Sequence, residues 1–242
     1  MYDLTNFTLR DMTQCGAALR KLGAGANSSA EVGQAVAAFL FEQFRDVAAD
    51  TPACALVRFF KTRSFADLSL DLRARAISLL GGTPATSAMK CLVLLGTAGI
   101  RPEWNSRQAS AGHQVIPLPS EEMVQRSPMI SQLVSQFGLE VSTLIEPDPA
   151  LLVDLEQRSY NVFHVAEARG SPHVPAQDEF VIPCRICSVV GFGGLLPSGD
   201  LFAVILFAAI PIARATADLF RPLALSVKLA LLPFEGATAL RE

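Results

Sequence analysis

Two apolar runs near the end of the chain, Ile186–Leu195 and Leu201–Ile210, flank the five residues LPSGD at 196–200. Both runs are rich in Val, Ile, Leu and Phe, which suit a pleated and half-buried surface. Pro, Ser, Gly and Asp between them carry the chemistry of a tight connection. The pair predicts a β-hairpin, so an antiparallel sheet is the element around which the rest of the chain has to be arranged.

The remaining elements follow from period and punctuation. Leu9, Met12, Cys15, Leu19 and Leu22 repeat at spacings of three and four, which predicts an amphipathic helix ended by Gly23 and Gly25. Ser28-Ser29-Ala30-Glu31 reads as a capping box opening a second helix, with Val32, Val36, Phe39, Leu40 and Phe44 as its stripe. Cys54–Phe60 and Met89–Gly96 read as buried strands, with Gln114–Leu118 as a third. Leu68, Leu72, Ala76 and Leu79 or Leu80 predict a helix over 66–80, stopped by Gly81-Gly82. Ser127-Pro128 starts another, with Ile130, Leu133, Val134 and Phe137 on one face, and Asp148-Pro149 is a further helix start. Tyr160–Val165 reads as strand, and Ala213–Leu232 as a helix apolar on more than one side. Such a helix needs two covers, the sheet and a second copy of the chain. Pro222 inside it marks either a kink, and so a candidate hinge, or the first turn of a new helix. The order helix, helix, strand, strand, helix, helix, strand, hairpin, helix is an α+β plan in one domain over residues 1–242.

Charge and cysteine usage narrow the function. With 20 basic against 23 acidic residues the net charge is −3, which gives no field to recruit nucleic acid or an anionic membrane. Leu201–Ala213, about 13 residues interrupted by Pro211, is shorter than the ~20 that a spanning helix needs. The N-terminus has no basic start followed by an apolar segment, so a cytoplasmic chain is expected. Cys15, Cys54, Cys91, Cys184 and Cys187 are an odd set among apolar neighbours, which fits reduced and buried thiols.

Cys184-Arg185-Ile186-Cys187 has the spacing of zinc and redox motifs. Zinc needs about four ligands, and His113, His164 and His173 show no ligand spacing that would complete the pair. Redox pairs open helices, whereas this pair lies in or just before an apolar strand. In a strand the two thiols face opposite sides with α-carbons about 10 Å apart, too far for a disulfide. The glycines of GFGG at 191–194 precede a strand rather than a helix, so they read as backbone relief at a bulge or hairpin and not as a phosphate loop. Glu121-Glu122 is a solvated helix start. No G-x-S-x-G or other nucleophile motif occurs, and no catalytic residue is assigned.

Five residues remain as pocket candidates. Trp104 lies in the long polar loop Thr97–Gly112 and His113 directly follows it, a segment that is either a wall of a ligand pocket or a surface loop anchored by its tryptophan. His164 faces a pocket or is a core histidine bonded to backbone. Arg58, inside the apolar run LVRFF, faces solvent, a carboxylate or an anionic ligand. Cys184 is the thiol of the pair placed to line a pocket while Cys187 packs beneath helices.

The helical pair at 8–46, CALVRFFKT, PEWNSRQASAGHQVIPLPS, NVFHVAEARGSP and SVVGFGGLLPSGDLFAVILFA running into the last helix carry a resemblance. Over about residues 8–234 the chain resembles GAF-like sensor input domains, found ahead of bacterial histidine kinases and other regulators, including two-component systems. The resemblance implies a central antiparallel sheet, helices from the two chain ends on one face, a pocket on the other and a homodimer through the terminal helices. It implies a non-enzymatic signalling module that binds a small ligand or a partner. No kinase, cyclase or DNA-binding segment is read before Glu242, so the output is expected from another domain or a partner protein. A GAF-like fold is also shared by thiol enzymes such as methionine sulfoxide reductases, and a purely structural dimerisation module is the third reading. No attachment pattern identifies a haem, bilin, cyclic nucleotide or metal, so the cofactor stays unassigned.

Overall fold

A computed structural model describes residues 1–110, 112–146 and 160–235. The helix start expected at Asp148-Pro149 lies outside the described residues. The chain opens with strand β1 (Tyr2–Asp3) and helices α1 (Leu9–Lys21) and α2 (Ser29–Gln43). Strands β2 (Phe44–Asp46) and β3 (Thr51–Pro52) complete a small sheet with β1. Then come β4 (Cys54–Ser64), α3 (Leu70–Leu79), β5 (Lys90–Gly99), β6 (Val115–Leu118), α4 (Glu121–Gln125), α5 (Pro128–Phe137) and α6 (Val141–Ile145). The chain continues through β7 (Phe163–Val165), β8 (Ser188–Leu195), β9 (Leu201–Ala208), α7 (Arg214–Asp218) and α8 (Arg221–Leu231).

Six strands form the main sheet in the order β6-β5-β4-β9-β8-β7, every neighbouring pair antiparallel. The architecture is therefore α+β, with the expected hairpin, β8 and β9, paired without interruption from Ser188↔Ala208 to Leu195↔Leu201. GFGG is thus not at a bulge. A Cβ on Gly193 would stand 2.0 Å from the Phe202 carbonyl oxygen, so the glycine lets the two strands approach.

Alternation along the strands sorts their side chains into two cores. Val57, Phe59, Val204 and Leu206 face α1, α2 and α8. Leu56, Phe60, Ala203 and Ile205 face a second cluster that includes Leu133, Val134 and Phe137 of α5. Helix α2 lies on β5 almost backbone to backbone, because Gly33 meets Gly96 without an intervening Cβ. The Gln34 side chain fixes that contact by accepting from Thr97 N–H at 3.2 Å and donating to Thr97 C=O at 2.9 Å.

Helix starts follow their caps. Thr8 and Asp11 form a reciprocal capping box on α1, at 3.2 and 3.0 Å. At α2 the Ser28 hydroxyl accepts from Glu31 N–H at 3.2 Å, but the Glu31 carboxylate takes Asn27 N–H at 2.9 Å instead of Ser28 N–H. The box expected there is half formed.

The last helix divides in two at Leu219-Phe220. Phe220 is fully buried, with its ring 5.5 Å from both Phe7 and Phe44 and 5.7 Å from Phe192, and this aromatic cluster holds the break. Pro222 falls in the first turn of α8, where its missing N–H costs no bond, and so marks a new helix rather than an interior kink.

Two strand expectations change. β4 does not exit at Lys61 but runs on to Ser64. Lys61 is buried against Glu235 at 2.5 Å and Asp200 at 3.7 Å, and Lys90 reaches Asp200 at 2.8 Å. The CRIC segment is not strand. β8 begins only at Ser188, after a π-turn at Gln177–Val181 and a turn in which Arg185 has φ 54°. The strand spacing that set Cys184 and Cys187 about 10 Å apart on opposite faces therefore does not apply. Among the described residues no helix is long and apolar enough to cross a membrane.

Candidate functional site

The core on the face away from α1, α2 and α8 is incompletely filled. A cavity of about 300 Å³ lies between the sheet and the elements that cover it. Its floor is the pleat of β4 and β9: Leu56, Arg58 and Phe60 alternate on one strand, and Ala203, Ile205 and Phe207 on the other. The register pairs Leu56 with Phe207, Arg58 with Ile205 and Phe60 with Ala203. The roof is the apolar stripe of α5, Met129, Ile130, Leu133 and Val134, with Leu144 of α6 beside it. One side wall is Pro175, Ala176, Glu179 and Phe180, and the other is Trp104 and His113.

Side-chain amides build both walls. In the loop between β5 and β6, the Asn105 amide accepts from Gly99 N–H at 2.9 Å and donates to Gly99 C=O and Arg101 C=O. Gln114 donates to the carbonyls of Arg107 and Ser110 at 2.9 and 2.8 Å, which folds the loop back on itself. Trp104 then lies over Gly99 with Arg101 stacked on its ring at 4.7 Å, and meets Phe180 edge-on at 5.6 Å. On the other wall Gln177 accepts from Gly170 N–H and donates to the carbonyls of Ala168 and Val174. That staple holds Ala176 at φ 57° and turns Phe180 onto Phe207, 5.0 Å away.

Arg58 is the charged group of the floor. Its guanidinium donates to the Ser110 hydroxyl at 3.3 Å, while its Nε–H is buried with no partner among the described residues. Burial lowers its pKa to about 10, so it stays cationic at neutral pH. His113, at the rim with φ 62°, has its pKa lowered first by desolvation and then by the Arg58 cation, which favours the neutral imidazole.

Three of the five sequence candidates, Arg58, Trp104 and His113, meet at this cavity. The other two do not line it. Phe163 and Val165 of β7 face the cavity-side core, so His164 points the other way. There its Nε2 pairs with Ile212 C=O at 2.9 Å, the backbone-bonded alternative. Cys184 is buried one layer behind the wall, its sulfur 3.5 Å from the Arg101 guanidinium that stacks on Trp104. Sequence reasoning missed Glu179, Phe180 and the roof. The α5 stripe was legible as a helix face, but an apolar residue beside a void carries the same pattern as one beside a neighbour.

Three of the remaining thiols are poorly suited to nucleophilic chemistry. Burial pushes Cys15 and Cys54 up to about 12 and Cys91 to about 11. Cys187 donates its S–H toward Ala209 C=O at 3.2 Å. Among the described residues no group of three or more His, Cys, Asp and Glu side chains is placed to hold a metal ion.

No known protein family model matches the chain, and no curated protein is similar to it.

Proposed function

We propose that the chain is a non-enzymatic sensory or regulatory module of the GAF-like kind, which binds a small ligand in this cavity and signals through its terminal helices as a dimer. The observation that carries the reading is the division of labour across the sheet. One face of β4 and β9 floors an unfilled cavity, and on the opposite face of the same sheet α2 packs on β4 and β5 and α8 on β8. A ligand that prefers one spacing of those strands shifts the helix packing behind them, and only by as much as it prefers it.

The dimer surface in this reading is on α8. Leu223, Val227 and Leu231 are buried against the sheet side, whereas Leu225 and Leu229, one turn apart, are 60% and 42% exposed. A thiol enzyme of the methionine sulfoxide reductase kind finds less support, because three of the five cysteines are held as neutral thiols by burial.

Sedimentation velocity tests the dimer. The wild-type chain should sediment as a dimer and the Leu225→Glu/Leu229→Glu variant as a folded monomer. A wild-type monomer at tens of micromolar would remove the helical route for the signal. Thiol titration of the native protein tests the alternative, since one fast cysteine with a low pKa would favour the enzyme over the module.

A further inference from the structure

We infer that the cavity takes a medium-sized apolar carboxylic acid, its carboxylate against the Arg58 guanidinium and its hydrocarbon body between the β4–β9 floor and α5. This deepens the proposed ligand-binding reading and rests on it. The floor of the cavity supplies one kind of polar demand. Leu56, Phe60, Ile205, Phe207, Leu133 and Val134 surround the space and offer no hydrogen bond, while Arg58 rises from the middle of the floor with its Nε–H unsatisfied. A buried donor without a partner is costly, and a carboxylate is the group whose two oxygens match the planar fork of a guanidinium.

Other ligand classes fit less well. An amine would face the Arg58 cation, and an alcohol or amide would leave the charge unneutralised. A doubly charged phosphate would exceed the charge of the one buried cation in the floor. Size sets the rest. At about 30 Å³ for each water-sized group, a cavity of about 300 Å³ accepts a ligand of about ten non-hydrogen atoms. Octanoate has that size.

Trp104 reports occupancy directly, because it is the chain's single tryptophan and forms a wall of the cavity. Its emission is titrated at neutral pH with octanoate, octanamide and octylamine. Octanoate should give a saturable change with an affinity about ten-fold or more above that of octanamide, the least that a hydrogen bond to a charged group contributes, and octylamine should bind weakest. Arg58→Leu should bring octanoate down to the amide's affinity and leave octanamide nearly unchanged, and Arg58→Lys should restore part of the difference. If octanoate and octanamide bind wild type equally, the acid assignment is wrong and the ligand-binding reading stands. If none of the three changes Trp104 emission, both fall. The acid–amide comparison needs no variant, so it decides the matter even if Arg58→Leu does not fold.

Discussion

Replacing Gly96 by Ala adds one methyl group where helix and sheet touch through their backbones. The new Cβ would stand 2.1 Å from the Gly33 carbonyl oxygen, 2.3 Å from its carbon and 2.6 Å from Gln34 N. A carbon–oxygen contact settles at about 3.3 Å or more, so α2 has to retreat from β5 by roughly 1 Å. That retreat carries the two Gln34–Thr97 bonds, now 2.9 and 3.2 Å, out of range. Their loss costs about 1–3 kcal/mol together, and the overpacking itself typically about 1–3 kcal/mol. The expected destabilisation is about 2–6 kcal/mol, and in a chain of this length each kcal/mol lowers Tm by roughly 2–4 °C. Urea denaturation followed by circular dichroism measures it. Gly112→Ala is the control, since a Cβ there meets nothing within 4 Å and should leave stability within about 0.5 kcal/mol. A Gly96→Ala midpoint indistinguishable from wild type, at unchanged slope, would refute the claim that backbone contact sets the helix position.

Two further outcomes follow from buried ionisable groups. Lys61→Met leaves Glu235, with only 8% of its side chain exposed, without its 2.5 Å partner, and should cost about 3 kcal/mol in denaturation; a loss below about 1 kcal/mol would mean that Glu235 simply swings into water. Because Cys15, Cys54 and Cys91 ionise only near 11–12 when folded but near 9 when unfolded, their contribution is fully present below pH 9 and is lost as pH rises toward 12. At pH 10 the loss is on the order of 1 kcal/mol for a fully buried thiol such as Cys54, so Cys54→Ala should show a visibly shallower decline between pH 8 and 10 than wild type, and an equal decline would show that this thiol does not drive it.

Local signals carried much of the architecture. The hairpin, the helices that open the chain and the α5 face are all set by residues within one or two turns of each other, and the structure has them close to where period and punctuation put them. The errors fall where the deciding partner is distant. Lys61 and Arg63 look like the charged exit of a strand, yet Lys61 is held by Glu235 and Arg63 by the Ser29 hydroxyl at 2.8 Å, so β4 continues through them. Nothing within LVRFFKTRS announces either contact. The CRIC segment was misread for a related reason. Ala176 and Arg185 take positive φ without being glycines, so the turns that keep Cys184 out of β8 leave no residue-type signal.

Arg58 shows how far a single residue in a strand pattern can be followed. An arginine among Leu, Val and Phe had three partners open to it in the sequence: solvent, a protein carboxylate or an anionic ligand. Burial of its Nε removes solvent from that donor. A carboxylate is removed as well, for Arg58 makes no ion pair among the described residues and its one hydrogen bond goes to the neutral Ser110 hydroxyl. What then keeps a guanidinium in an apolar floor is either a cost the fold carries without return or a partner that arrives from outside. The cavity above Arg58 gives such a partner room, and the contrast between octanoate and octanamide separates the two cases.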